Sequence, residues 1–140
     1  MPASDFLGVR EGLRTIPSSF GPEETMDRLV AELRARGMNV FARIDHAAGA
    51  HEAGLELRPT EVIVFGNARG GTPLMQLSQT VGIDLPLKAL VWRDAANKTW
   101  ISYNDPGWIA QRHGVTNVDP VLGKMSALLS AVTTKAASAQ

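Results

Sequence analysis

The side chains able to do chemistry in this chain are few: three histidines, one tyrosine, no cysteine, and a glycine-rich stretch followed by threonine. His46 follows Asp45 directly in FARIDHAAGAH, and a carboxylate beside an imidazole could orient a base or a metal ligand. Neighbours in sequence do not face each other on a helix, however. The simpler assignment makes Asp45 an N-cap and leaves His46 pointing elsewhere. His51 stands five residues beyond His46, not the three or four that would put both on one helical face. His113 precedes Gly114 at a helix end, where the dipole suits it. A metal would need the three histidines to converge from separate elements, and no metal site is expected.

Tyr103, Asn104 and Asp105 form the densest polar cluster, just before Pro106. Capping the next helix accounts for Asn104 or Asp105 but not for the tyrosine, so Tyr103 stands with His46 as a candidate acid or base. Arg43 alternates with apolar neighbours. It requires a carboxylate such as Asp45, Glu56 or Asp105 if both sheet faces are covered, and could meet a ligand anion if one is open.

In FGNARGGTPLM (65–75), Gly66, Gly71 and Thr72 imitate a phosphate loop. Such a loop needs a lysine between the second glycine and the hydroxyl residue, and here Thr72 follows Gly71 at once. A turn explains each residue. Gly66 and Asn67 tolerate positive φ, Gly70 and Gly71 let the chain turn sharply, Thr72 caps, and Pro73 opens a helix whose N-terminus keeps a general capacity for anions. Trp92, Trp100 and Trp108 suit a core or a dimer interface, and Met75 beside Leu74 suits packing rather than soft-metal ligation.

The positioning elements are legible from spacing. GPEETMDRLVAELRARG predicts a helix with Pro22 at its start, Met26, Leu29, Val30 and Leu33 on one stripe, and Gly37 as left-handed C-cap. Arg14 to Ser18 is a weak opening strand because of Pro17. MNVFARI alternates, with Met38, Val40, Ala42 and Ile44 on one face and Asn39, Phe41 and Arg43 on the other. Asp45 then caps a short helix through Ala53, closed by Gly54, and EVIVF is a central strand. LKALVWRD and KTWISYN predict a hairpin; a two-residue turn at 96 and 97 would set Trp92 opposite Ile101 and Arg93 opposite Trp100. Pro106 to Gly114 predicts a short helix. Asp119–Pro120 open a long one with Val121, Leu122, Met125, Leu128, Leu129 and Val132 on one face, a stripe long enough to suggest a twofold interface there or on a tryptophan-bearing surface. Helices and strands do not alternate strictly, so the fold class is α+β: one compact domain over 1–140, a mainly antiparallel sheet against helices, with 1–13 and 134–140 as flexible ends.

Lys plus Arg equals Asp plus Glu at 14 each, which leaves no electrostatic footprint for nucleic acid or an anionic membrane. No secretory signal is visible in MPASDFLGVREG, no run approaches a membrane span, and the absence of cysteine fits a reducing compartment; cytoplasmic placement is expected.

From Thr25 to Gly114 the chain resembles the DUF302 family, a bacterial and archaeal family with no agreed activity. The resemblance rests on F-x-x-I-D-H at Phe41 to His46, F-G-N-x-x-x-G-T-P-L-M at Phe65 to Met75, D-L-P-L-K at Asp84 to Lys88, and Y-N-D-P at Tyr103 to Pro106. Ala68 stands where the family often has proline. The resemblance implies a compact α+β fold of the TBP-like class, commonly dimeric, and brings no reaction or cofactor. The expectation is a homodimeric binding domain for a small ligand or partner protein, with Arg43, Asp45, His46, Asn67, Thr72, Tyr103, Asn104 and Asp105 as candidate ligand contacts. A small-molecule enzyme using His46 or Tyr103, and a purely structural interaction module, are the alternatives.

Overall fold

The computed structural model describes residues 10–116 and 118–139. Pro22 opens helix α1 (Pro22–Ala35), Glu23 and Glu24 complement the positive end of its dipole, and Gly37 at φ +77° lets the Met38 amide return to the Leu33 carbonyl. Strand β1 (Leu13–Pro17) precedes it; β2 (Asn39–Asp45), α2 (His46–Glu52), β3 (Thr60–Gly66) and α3 (Ala68–Leu77) follow. A 3₁₀ turn (Gln79–Ile83) leads into the hairpin β4 (Leu87–Arg93) and β5 (Thr99–Asn104), and then α4 (Pro106–Arg112) and α5 (Asp119–Ala137). The five strands form one antiparallel sheet in the order β1-β5-β4-β3-β2, which makes the chain the expected α+β domain.

One sheet face carries the core. Met26, Leu29, Val30 and Leu33 of α1 and Leu129, Val132, Ala136 and Ala137 of α5 pack on Ile63, Phe65, Leu87, Ala89, Val91 and Ile101. The α5 stripe is therefore used within the chain, and it explains why residues 134–137, expected as part of a loose end, stay helical with Ala136 and Ala137 buried. A second cluster, at one end, joins Leu74, Val81, Ile109, Ala110, Val115 and Val118 to Met125. The other sheet face holds half-buried Val62, Val64, Leu90 and Trp92 and exposed Ile44; among the described residues no helix belongs to a core cluster on it.

Two registers differ from the pattern read in the sequence. A β-bulge between Val40 and Ala42 turns Val40 to the helix-covered face with Arg43, while Ala42 and Ile44 go to the other. Strict alternation fails there because one inserted residue exchanges the faces beyond it. In the hairpin Trp92 pairs with Trp100 and Arg93 with Thr99, one residue away from the two-residue-turn register. The cause is Asp94. Its carboxylate accepts from the Ala96 and Lys98 amides and from the Trp100 indole, favouring a three-residue loop with Asn97 left-handed at φ 68°.

The Trp100 indole, then the Lys98 amide, hold the Asp94 carboxyl below its ordinary pKa. A depressed folded-state pKa contributes stability that is present above the unfolded value, near 3.8, and is lost as pH falls through the folded one. Asp94→Asn should therefore lower Tm at pH 7 and flatten its fall on acidification below about pH 4; thermal melts across pH 3–7 in which both proteins have the same acid limb would contradict this.

Candidate functional site

The glycine-rich stretch adopts a geometry other than the expected one. Helix α3 begins at Ala68, four residues before Thr72, because Asn67 caps it: Asn67 Oδ1 accepts from the Gly70 amide at 2.8 Å, and the Asn67 carbonyl accepts from Gly71. Thr72 is thus not the cap, and Pro73 lies within the helix. A side-chain cap available to Asn67 outweighs the helix-start preference of Pro73. Neither Gly70 nor Gly71 makes a sharp turn, and Gly71 serves close approach. A Cβ on Gly71 would stand 3.2 Å from Leu85 Cδ1, and one on Gly70 3.8 Å from Met125 Cε.

These glycines border a groove of about 530 Å³ between the end of β3, the start of α3, the segment Leu85–Leu87 and one side of α5. Phe41, at the bulge and 59% exposed, overhangs Gly66, whose missing Cβ leaves space beside Pro86. The lining is mainly apolar, from Met38, Phe41, Met75, Leu85, Met125 and Leu128, with Asn67, Arg69, Thr72 and Lys124 supplying polar atoms. Asn67 Nδ2 also donates to Met38 Sδ at 3.3 Å, fixing the loop against β2. A concave, largely apolar site with a few polar groups has the make-up of a small-molecule site.

Of the eight candidate residues, Asn67 and Thr72 line this groove, and the other six lie elsewhere. Arg43 bridges Glu61 and Asp27, each at 2.9 Å, and the hydrogen bond to Glu61 does most to raise its pKa, against desolvation. Arg43 and Asp45 border a separate, more polar hollow near the start of α1, where Asp45 Oδ1 caps α2 through the Ala48 amide. His46 is exposed at the first position of α2. Asp105 faces Arg14 at 3.8 Å beside Trp108 and makes no side-chain cap, and Asn104 is exposed at the end of β5.

Tyr103 lies half-buried on the helix-covered face, and burial raises its pKa, with Arg14 opposing. That direction makes the phenol a poorer base at neutral pH. Nor can it act with His46: β3 and β4 separate β5 from β2, three strand spacings or about 14 Å.

A polar cluster that the sequence did not suggest fastens the 3₁₀ turn to α4. His113 Nε2 meets Asp84 Oδ2 at 2.6 Å, its Nδ1 meets Thr80 Oγ1 at 2.8 Å, and Arg112 holds Asp84 Oδ1 at 2.9 Å. With Nε2–H donated to the carboxylate, Nδ1 faces the hydroxyl; no part of it borders the groove. Phe41, Leu85 and Lys124 are groove residues that sequence reasoning did not single out as ligand contacts. The signal that pointed toward them was the bunching of glycines at 66, 70 and 71.

Tyr103 is the chain's one tyrosine, so its ionisation is directly visible. Absorbance titration should place the midpoint above 10, with folded-state stability lost as pH rises through it; a midpoint at or below 10 would show that burial does not dominate.

The family model for the domain of unknown function DUF302 matches residues 14–132. A fluoride-specific ion channel, FluC 1, of Brucella suis biovar 1 is 51% identical over 107 residues, which cover 76% of this chain and 42% of that protein. FluC 2 of Brucella melitensis biotype 1 matches at 51% over 107 residues, 40% of its length. The chain thus spans about two-fifths of the curated relatives it matches. The crystal structure of an uncharacterised conserved DUF302 protein from Bacillus stearothermophilus superposes with a TM-score of 0.81 at 20% identity, covering 91% of this chain and 99% of that one, which shows the shared fold.

Proposed function

The chain belongs to the DUF302 family, and from that premise we propose that it is a binding domain for a small molecule held in the groove beside α3. The observation that carries this reading is convergence. Phe41, the Gly66–Met75 stretch and Leu85–Leu87 come from three of the four segments on which the family resemblance rests, and all line one cavity. The enzyme alternative loses support because His46 and Tyr103 stand on opposite sides of two intervening strands.

The sheet's second face favours a homodimer. Val62, Val64, Leu90 and Trp92 are half-buried there beside exposed Ile44, a contiguous apolar surface of the kind that pairs with a copy of itself. The cysteine-free composition suits a reducing cytoplasm. The Brucella relatives are fluoride-specific ion channels. Fluoride conduction is not proposed for this chain, which covers two-fifths of those proteins and has, among its described residues, no helix long and apolar enough to cross a membrane.

Native mass spectrometry of protein purified from its own host should reveal a retained small molecule, and Phe41→Ala should weaken retention about tenfold through lost apolar contact. Absence of any adduct, with no melting shift from a panel of apolar metabolites, would remove the groove reading. Sedimentation should show a dimer at micromolar concentration that Leu90→Arg dissociates; a wild-type monomer would remove the dimer.

A further inference from the structure

We propose that the ligand of this groove is an anionic amphiphile, an apolar body ending in a carboxylate or phosphate. This inference rests on the groove reading above. The walls bring two cations, Arg69 and Lys124, and no Asp or Glu lines the cavity. Arg43 pairs with Asp27 and Glu61, Arg112 with Asp84 and Arg14 with Asp105, while other cations, Arg28 and Arg34 among them, form no ion pair among the described residues. Arg69 and Lys124 have no ion-pair partner among the described residues. In a chain of zero net charge this groove therefore holds a local excess of positive charge over an apolar floor.

The backbone adds to that field. Asn67 Oδ1 occupies the Gly70 amide, and the Asn67 carbonyl the Gly71 amide. The Ala68 and Arg69 amides, at the first two helical positions of α3, have no acceptor within the helix and lie at the positive end of its dipole. A charged head placed there would meet these amides, Arg69 and Lys124, while its hydrocarbon body lay against Met38, Phe41 and Leu128. Both cations are exposed, so each adds only the modest attraction of a solvated pair and is screened by salt.

Octanoate, octyl phosphate and octan-1-ol share one tail and differ in head charge. Calorimetric titration of the full chain with each should show both anions binding roughly tenfold more tightly than the alcohol at low salt, a margin that shrinks as salt rises. Arg69→Gln and Lys124→Gln should each cost the anions about two- to threefold and leave the alcohol unchanged. Circular dichroism checks that these surface variants fold. Preference for octyl phosphate over octanoate, or the reverse, identifies the head, and either outcome supports the proposal. Equal binding of anions and alcohol would overturn the anionic head and leave the groove standing, as would anion binding indifferent to both substitutions. Failure of all three probes to bind would take the groove reading down as well.

Discussion

Burial of α1 and α5 against a single face of the sheet is the constraint from which the other placements follow. Apolar surface leaving water contributes about 25 cal/mol per Å², and the fully buried set on this face includes Phe65, Met26, Leu29, Ile63, Ile101 and Leu129. The C-terminal half of α5 is committed to the sheet through Leu129, Val132 and Ala136. Its N-terminal half, through Met125, is committed to the second cluster with Leu74, Val81 and Ile109. One helix therefore serves two cores, and Leu85 packs against both. The groove lies along that seam, where Lys124, Met125 and Leu128 face the start of α3.

Several polar residues, some of which looked chemical in the sequence, are used to fasten the fold. Asp45 and Asn67 close helix N-termini, Arg43 joins β2 to β3 and α1, Asp94 shapes the hairpin, and Asp84 with His113 anchors the 3₁₀ turn. A buried or half-buried polar atom must find a partner, so such residues cluster at element ends whether or not a ligand is near. What separates the groove from these places is its lining: Arg69 and Lys124 border a mainly apolar floor that no Asp or Glu joins.

Spacing alone made α1, β3, the hairpin and α5 legible, because the apolar period of Met26, Leu29, Val30 and Leu33 or of Val62 to Phe65 is a local property. The misreadings arose where one side chain decided between two local structures. Asn67 won the cap from Thr72, Asp94 chose a three-residue loop, and the bulge beside Phe41 reversed the faces of β2. The groove itself has no period. Its walls come from β2, the β3–α3 junction, the segment before β4 and α5, so only their assembly shows that Phe41, Leu85 and Lys124 are neighbours.

In the first turn of α3 it is residue type, at Gly71 above all, that keeps this seam open. Gly70 and Gly71 lie inside a helix, where each glycine costs about 1 kcal/mol relative to alanine. Neither has the positive φ that would require glycine. Helix stability alone favours alanine at both. A methyl on Gly71 would press on Leu85 at 3.2 Å, whereas one on Gly70 would make ordinary contact with Asn67 and Met125, so at Gly71 the substitution that strengthens the helix also crowds the groove wall. Stability forgone at Gly71 leaves a concave, cation-bordered surface open, which is what the proposed binding site requires of a fold that is otherwise locally consistent. The adaptable thioethers of Met38, Met75 and Met125 around the same space would let its wall adjust to the proposed ligand.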